Sequence, residues 1–320
     1  TVNFDPSLVR LLREVEYFLL AGLSVPDAAL TIYKKVDTFR NYIGNLDVIV
    51  ANYNKILNTM LPVEAPLIKN QIVVIDKALT MGIEVMNWKS HSHGIENFLP
   101  EALSKVNAAN KVLDILKDNV DAIRDMTKQW GREPLLRRTP KAVLMEDFQN
   151  DLAPVIAARY EEIEKGGEEM HNLINKINRV LKVSKGLPDW RTFVDYVNEI
   201  VVDGLVHLVI ISLQWFCDIL NPEKISNSEL PPMIEININL VGSGITFAPD
   251  IYSTSFKTGV RDVVNQWIDK IINIGRRFKR LDRPGKSTYS KDILENMYVV
   301  MKVAEIKKHM NYWEAKCEEY

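Results

Sequence analysis

Glycine and proline are both scarce, at 14 each in 320 residues, so few built-in breaks interrupt the chain and long elements are expected. Cysteine is scarcer still. Cys217 and Cys317 stand alone and far apart, which excludes a disulfide scaffold and a CxxC metal clasp and suits a reducing compartment. Neither sign of charge prevails: 40 Lys and Arg against 42 Asp and Glu leave a formal net charge of −2, too balanced for a surface that grips nucleic acid throughout. The most apolar run, Gly204–Cys217, is bracketed by Asp203 and Asp218 and falls short of the roughly 20 residues a bilayer demands, so a buried core helix is expected there and no membrane span. A basic-then-apolar leader is not visible at the start, where Asp5-Pro6 reads instead as a helix opening. With no initiator Met, and with an amphipathic run still in progress at the last residue, both ends are expected to be cuts in a longer polypeptide.

What is present is helical periodicity. After Asp5-Pro6, a cap followed by proline at the first helical position, Leu8, Leu11, Leu12, Val15, Phe18 and Leu19 recur at helical spacing. Gly22 ends that helix, Pro26 starts a second, Gly44-Asn45 precedes a third, and a fourth is expected from about Glu64 to Trp88. From Leu99 to Trp130, apolar residues in steps of three and four predict one amphipathic helix about 45 Å long. "GREPLLRRTP" (131–140) then breaks the chain. The expected organisation is therefore a helical bundle over 1–130 and a second helical unit over 141–320.

In that second unit Pro154 predicts a kink or a fresh helix start, and Gly166-Gly167 a weak point in whichever helix holds them. "SKGLPDW" is a turn, Asp189 a plausible cap for a helix reaching about Leu220, and "NPEKISNSELPP" a loop. Ile234, Ile236, Ile238 and Leu240 then alternate with Glu235, Asn237 and Asn239, a strand pattern with one buried face. Gly242–Gly244 turns it into a β-hairpin near 233–248, the only sheet expected. Helices follow at about 258–281 and from about Ser290 onward. The fold class predicted is all-α, built of elongated multi-helix bundles with that one hairpin.

Chemistry-bearing motifs are thin. "RPGKST" (283–288) shares its Gly-Lys-Ser ending with phosphate-binding loops, but those need a glycine five positions before Gly285 and a buried strand leading in. Arg280 occupies that position, and "RRFKRLDR" cannot be a buried strand. His91 and His93 lack the further ligands a metal requires nearby in sequence, and His171, His207 and His309 are each isolated. A bundle enzyme would need inward-pointing Glu-x-x-His pairs from facing helices. No catalytic, cofactor-binding or metal residue is expected. One cluster is dense in charge: Arg276, Arg277, Lys279, Arg280, Arg283, Lys286 and Lys291 face only Asp282. It reads either as a solvated helix end and loop or as a docking patch for an acidic partner surface. Aromatic interleaving is limited to Phe278 and Tyr289, a poor platform for nucleic acid.

Several passages carry a resemblance. "VNFDPSLVRLLREVEYFL" (2–19) resembles the end of the first conserved tail region of dynein heavy chains. "VMNWKSHSHGIENFL" (85–99), built around Trp88, resembles a second tail passage. "PPMIEININLVGSGITFAPDI" followed by "GVRDVVNQWIDKIINIGRRFKRLD" resembles a third, nearer the linker. Their order matches the family's, and their character is axonemal rather than cytoplasmic. The resemblance implies a structural tail segment made of helical bundles, cofactor-free, in a heavy chain whose ATP-hydrolysing AAA+ ring lies far C-terminal to it. It implies assembly with intermediate and light chains, a neighbouring heavy chain and the docking apparatus of the doublet microtubule, in the cytoplasm of a cilium or flagellum. No catalytic residue carries over. The rival is a stand-alone helical adaptor or scaffold, which the absence of any internal repeat disfavours.

Overall fold

A computed structural model describes residues 6–86, 92–136, 144–227, 234–283 and 287–319. Helix accounts for 77% of what is described, and two short strands form its single sheet, so the fold class is mainly all-α. In chain order the helices are α1 (Pro6–Leu20), α2 (Asp27–Tyr33), α3 (Val36–Thr59), α4 (Ala65–Val85), α5 (Ser92–Trp130), α6 (Met145–Leu181), α7 (Pro188–Leu220) and α8 (Pro222–Asn227). Strands β1 (Asn237–Val241) and β2 (Gly244–Ala248) follow, then α9 (Val260–Ile272) with a 3-10 turn at Asn273–Arg276, α10 (Ser290–Glu295) and α11 (Met297–Glu318).

The residues group into two compact units, Thr1–Asp118 with Arg179–Trp190 and Asn119–Asn178 with Arg191–Tyr320, so the dividing point falls inside α5. The first unit buries Leu8, Val15, Phe39, Ile49, Ile56, Ile68, Ile75, Val106 and Leu113. Glu64 is buried with them, its carboxylate accepting from the Leu61 N–H at 2.7 Å and pairing with Lys117 at 3.3 Å. That pairing is what makes a buried charge tolerable. At Gly82 a Cβ would lie 2.3 Å from Phe98 Cζ, so glycine lets the ring of α5 seat directly against α4.

Two breaks differ from those expected. Gly44-Asn45 does not start a helix; α3 begins at Val36 and runs through it, because Phe39, Ile49 and Ile56 fall on one buried face. Burying each such side chain stabilises by about 1.5–3 kcal/mol, more than the roughly 1 kcal/mol an interior glycine costs. Similarly α6 continues through Pro154 rather than restarting there.

In the second unit α7 forms the core, with Phe193, Val197, Val201, Leu205, Leu208, Val209, Leu213 and Phe216 all excluded from solvent. It is the one described helix long and apolar enough to cross a membrane by composition, and its burial against neighbours accounts for that apolarity. Gly204 allows close approach: a Cβ there would meet Thr127 Cβ of α5 at 2.4 Å. The Gly166-Gly167 pair serves the same end in α6. Cβ atoms would strike Trp130 at 2.8 Å and Phe278 at 2.6 Å, and those two rings meet edge to face at 5.9 Å.

Asp262 sets the start of α9. Its carboxylate accepts from the N–H groups of Gly259 and Thr254, at 3.3 and 2.8 Å, and from the Ser253 hydroxyl, folding the preceding loop over the helix N-terminus. Gly259 is obligatory, since a Cβ would sit 1.7 Å from the Tyr252 carbonyl oxygen. α9 ends at Ile272, short of the expected 281, because Gly275 abuts Tyr289 and Ser290 as the chain returns. The last helix is two helices. Asn296 interrupts it and caps α11 by accepting from the Tyr298 and Val299 N–H groups. Finally α11 is tied to α9 by the Arg261–Glu314 pair, and to the end of α7 by Trp313 Nε1 donating to the Leu220 carbonyl at 2.7 Å.

Candidate functional site

Two surfaces and one side-chain cluster are candidates, all in the second unit. The hairpin pairs antiparallel in a register that sets Ile238 against Phe247 and Leu240 against Ile245, so these four share one face. The expected burial of that face does not hold. Only its root is covered: Ile234 and Ile236 are half-buried beside Leu220, Ile251 and Trp313, lining a cavity of about 250 Å³. Further out Ile238 is 62% exposed and Leu240 81% exposed, because no described element lies over them. An isolated hairpin is marginal in water, and an apolar one without cover is more so.

The basic stretch is knitted inward. Arg277 pairs with Glu164 of α6 at 3.4 Å and lies 4.0 Å over the Tyr160 ring. Arg280 pairs with Asp292 of α10 at 2.5 Å, and Arg283 with Asp195 of α7. Arg276 donates to the Ser290 hydroxyl at 3.3 Å and is exposed; Lys279 is exposed, with no ion-pair partner among the described residues. Lys286, with most of the Gly-Lys-Ser motif, lies outside the described residues. A run that reads as strongly positive in sequence is thus largely neutralised by carboxylates brought in from three helices. No sequence-local signal announces them.

The structure also brings together residues that are 88 and more positions apart in sequence: Cys217 of α7 and Glu305 and His309 of α11, their ligand atoms all within 4.8 Å of one another. Burial pushes the Cys217 thiol up to about 12, with the Glu305 carboxylate adding to the effect. Lys302, 2.8 Å away, holds the Glu305 carboxyl below its ordinary value. Burial pulls His309 down, against the opposing influence of Glu305. The only sequence trace of this cluster is the four-residue spacing of Glu305 and His309 on one helix face. One Glu-x-x-His spacing does occur, at Glu168 and His171, yet Glu168 is exposed and His171 Nε2 meets the Lys279 carbonyl at 3.1 Å.

Comparison with known proteins gives a consistent set. Residues 1–98 match the family described as "Dynein heavy chain, N-terminal region 1". The whole chain aligns with the "Dynein beta chain, flagellar outer arm" of Chlamydomonas reinhardtii at 32% identity, covering 100% of this chain and 8% of that protein. The "Dynein beta chain, ciliary" of Tripneustes gratilla is 31% identical over 91% of this chain and 6% of its own length. "Dynein axonemal heavy chain 11" of Sus scrofa is 30% identical over 97% of this chain and 7% of its own. The chain therefore spans less than a tenth of the relatives it matches.

Proposed function

The chain belongs to the dynein heavy chains, as a segment of their N-terminal tail and of axonemal type, and from that premise we propose that it works as a structural stem on which a ciliary or flagellar motor is assembled. In this reading the ATP-hydrolysing ring belongs to the remainder of the parent, and these residues hold subunits at fixed positions. The observation that carries the reading is the alignment along the full chain with axonemal heavy chains, which a stand-alone adaptor would not display.

The surface that best fits a subunit contact is the open hairpin face of Ile238, Leu240 and Ile245, beside the half-buried Phe247, an apolar anchor of the kind that interfaces bury. We assign it to another dynein subunit: an intermediate or light chain, a neighbouring heavy chain, or the docking apparatus. Of the five described candidate cations, Arg276 and Lys279 are the two free to steer an acidic partner, since Arg277, Arg280 and Arg283 are engaged internally.

The test is co-assembly of this chain with purified axonemal intermediate and light chains, and with a neighbouring heavy-chain tail, read by size exclusion with light scattering. A complex that is lost on Leu240→Asp and weakened by Arg276→Glu with Lys279→Glu at low salt alone supports the proposal, because rim charges act over a screening length of about 8 Å at physiological ionic strength. Failure to assemble with any of these subunits would refute it.

A further inference from the structure

Cys217 is fully buried on α7, and its thiol faces Glu305 and His309, which stand one helical turn apart on α11. A structural explanation covers only part of this group. Glu305 is satisfied by Lys302 and by the Cys217 thiol, but His309 Nε2 is shut off from solvent and has no hydrogen-bond partner among the described residues. A buried, unsatisfied ring nitrogen costs free energy that folding usually avoids. One ring nitrogen of His309 lies within 4.8 Å of the Cys217 sulfur and of a Glu305 oxygen.

We propose that Cys217, Glu305 and His309 form a binding site for a divalent transition-metal ion of borderline softness, with Zn2+ the best match. Thiolate, imidazole and carboxylate are the three donor types zinc takes, at about 2.3 Å for sulfur and about 2.0–2.2 Å for nitrogen and oxygen. A tetrahedral centre with such bonds sets its ligand atoms about 3.5 Å apart. From separations of up to 4.8 Å the three would draw in by roughly an ångström, which side-chain rotation on two packed helices supplies. On binding, the Cys217 proton leaves to solvent and the sulfur becomes the thiolate ligand. Thiolate and carboxylate then balance the dication, while Lys302 keeps its hold on one Glu305 oxygen and leaves the other for the metal.

Asp218 is not a fourth ligand in this arrangement, since it falls outside the group whose ligand atoms all lie within 4.8 Å of one another. The fourth position falls to water or to a group from outside the chain. The consequence is a clamp between α7 and α11.

Co2+ is the probe of choice, because a cobalt–thiolate bond gives a near-ultraviolet charge-transfer band and tetrahedral cobalt gives strong visible bands. Titrating the purified, reduced 320-residue chain should produce both bands at one ion per chain, and Zn2+ should displace them and raise Tm. Cys217→Ser should abolish the charge-transfer band, and His309→Gln, at a half-buried position, should weaken affinity at least tenfold even if the serine variant does not fold. Cys317→Ser should change nothing. Absence of the bands in the wild-type chain, their persistence in His309→Gln at unchanged affinity, or their loss in Cys317→Ser would each overturn the site.

Discussion

Asn198 and Leu281, 83 residues apart, share a reciprocal pair of hydrogen bonds inside the second unit. The Asn198 amide donates to the Leu281 carbonyl at 3.2 Å, and its oxygen accepts from the Leu281 N–H at 3.1 Å. Tyr289 completes the node by donating its hydroxyl to the same Asn198 oxygen at 2.7 Å. A side chain of α7 thus reads both backbone groups of a residue in the basic stretch. It fixes that stretch where Arg280 and Arg283 can reach their carboxylates.

Asn198→Ala should therefore cost about 2–3 kcal/mol, since it strands the buried Leu281 carbonyl and leaves the Tyr289 hydroxyl proton without an acceptor, although the Leu281 N–H keeps the Tyr289 oxygen. Tyr289→Phe should cost less, about 1 kcal/mol, because Asn198 and Leu281 still satisfy each other. Urea unfolding with both variants checks the order; equal losses would contradict the account.

Two glycines in helix interiors should respond to alanine with opposite signs. At Gly44 a Cβ meets nothing within 4 Å, so Gly44→Ala should stabilise by about 0.5–1 kcal/mol through propensity alone. At Gly167 the same change drives a methyl into the Phe278 ring and should destabilise by about 1–3 kcal/mol despite the propensity gain. Thermal melting of the two variants gives the comparison directly.

Asp262 makes the chain acid-sensitive. The Ser253 hydroxyl foremost, then the Thr254 and Gly259 N–H groups, hold its carboxyl below the ordinary carboxylate value. The folded state therefore binds this proton less readily than the unfolded one, and the stability it brings is complete above the unfolded value and lost as pH falls through the folded one. Asp262→Asn should be less stable than wild type at neutral pH and show a shallower further loss on acidification, as measured by Tm from pH 7 to pH 3.

ATP should not bind to these residues. Arg280 stands where a phosphate loop needs glycine, and its guanidinium is committed to Asp292 and to the Thr288 carbonyl. Calorimetry with Mg-ATP should show no heat of binding, and Lys286→Ala should leave the trace unchanged.

Much of the helical fold is legible because its signals are local. The apolar steps from Leu99 to Trp130 and the alternation from Ile234 to Leu240 each declare an element from within a dozen or so residues. What was not legible depends on partners distant in the chain. Gly166-Gly167 reads as weakness until Trp130 and Phe278 are seen filling the space. The Arg277–Arg283 charge reads as surplus until Glu164, Asp195 and Asp292 arrive. The exposed hairpin face is the converse case, where alternation gives the strand but burial depends on a cover that no described element provides. Cys217, Glu305 and His309 meet only through the packing of α11 on α7, so their proximity had no sequence signature beyond one helical spacing.

The interleaving of the two compact units bears on how the polypeptide is made. A ribosome releases Thr1–Asp118 first, but the unit to which they belong is finished only when Arg179–Trp190 have emerged. By then Asn119–Asn178 are already outside, with Trp130 and Glu164 waiting for Phe278 and Arg277, which are still untranslated. The first unit therefore cannot close until Trp190 has been made, nor the second until α11 has. Stops before α11 should leave the second unit open and its nascent chains dependent on chaperones.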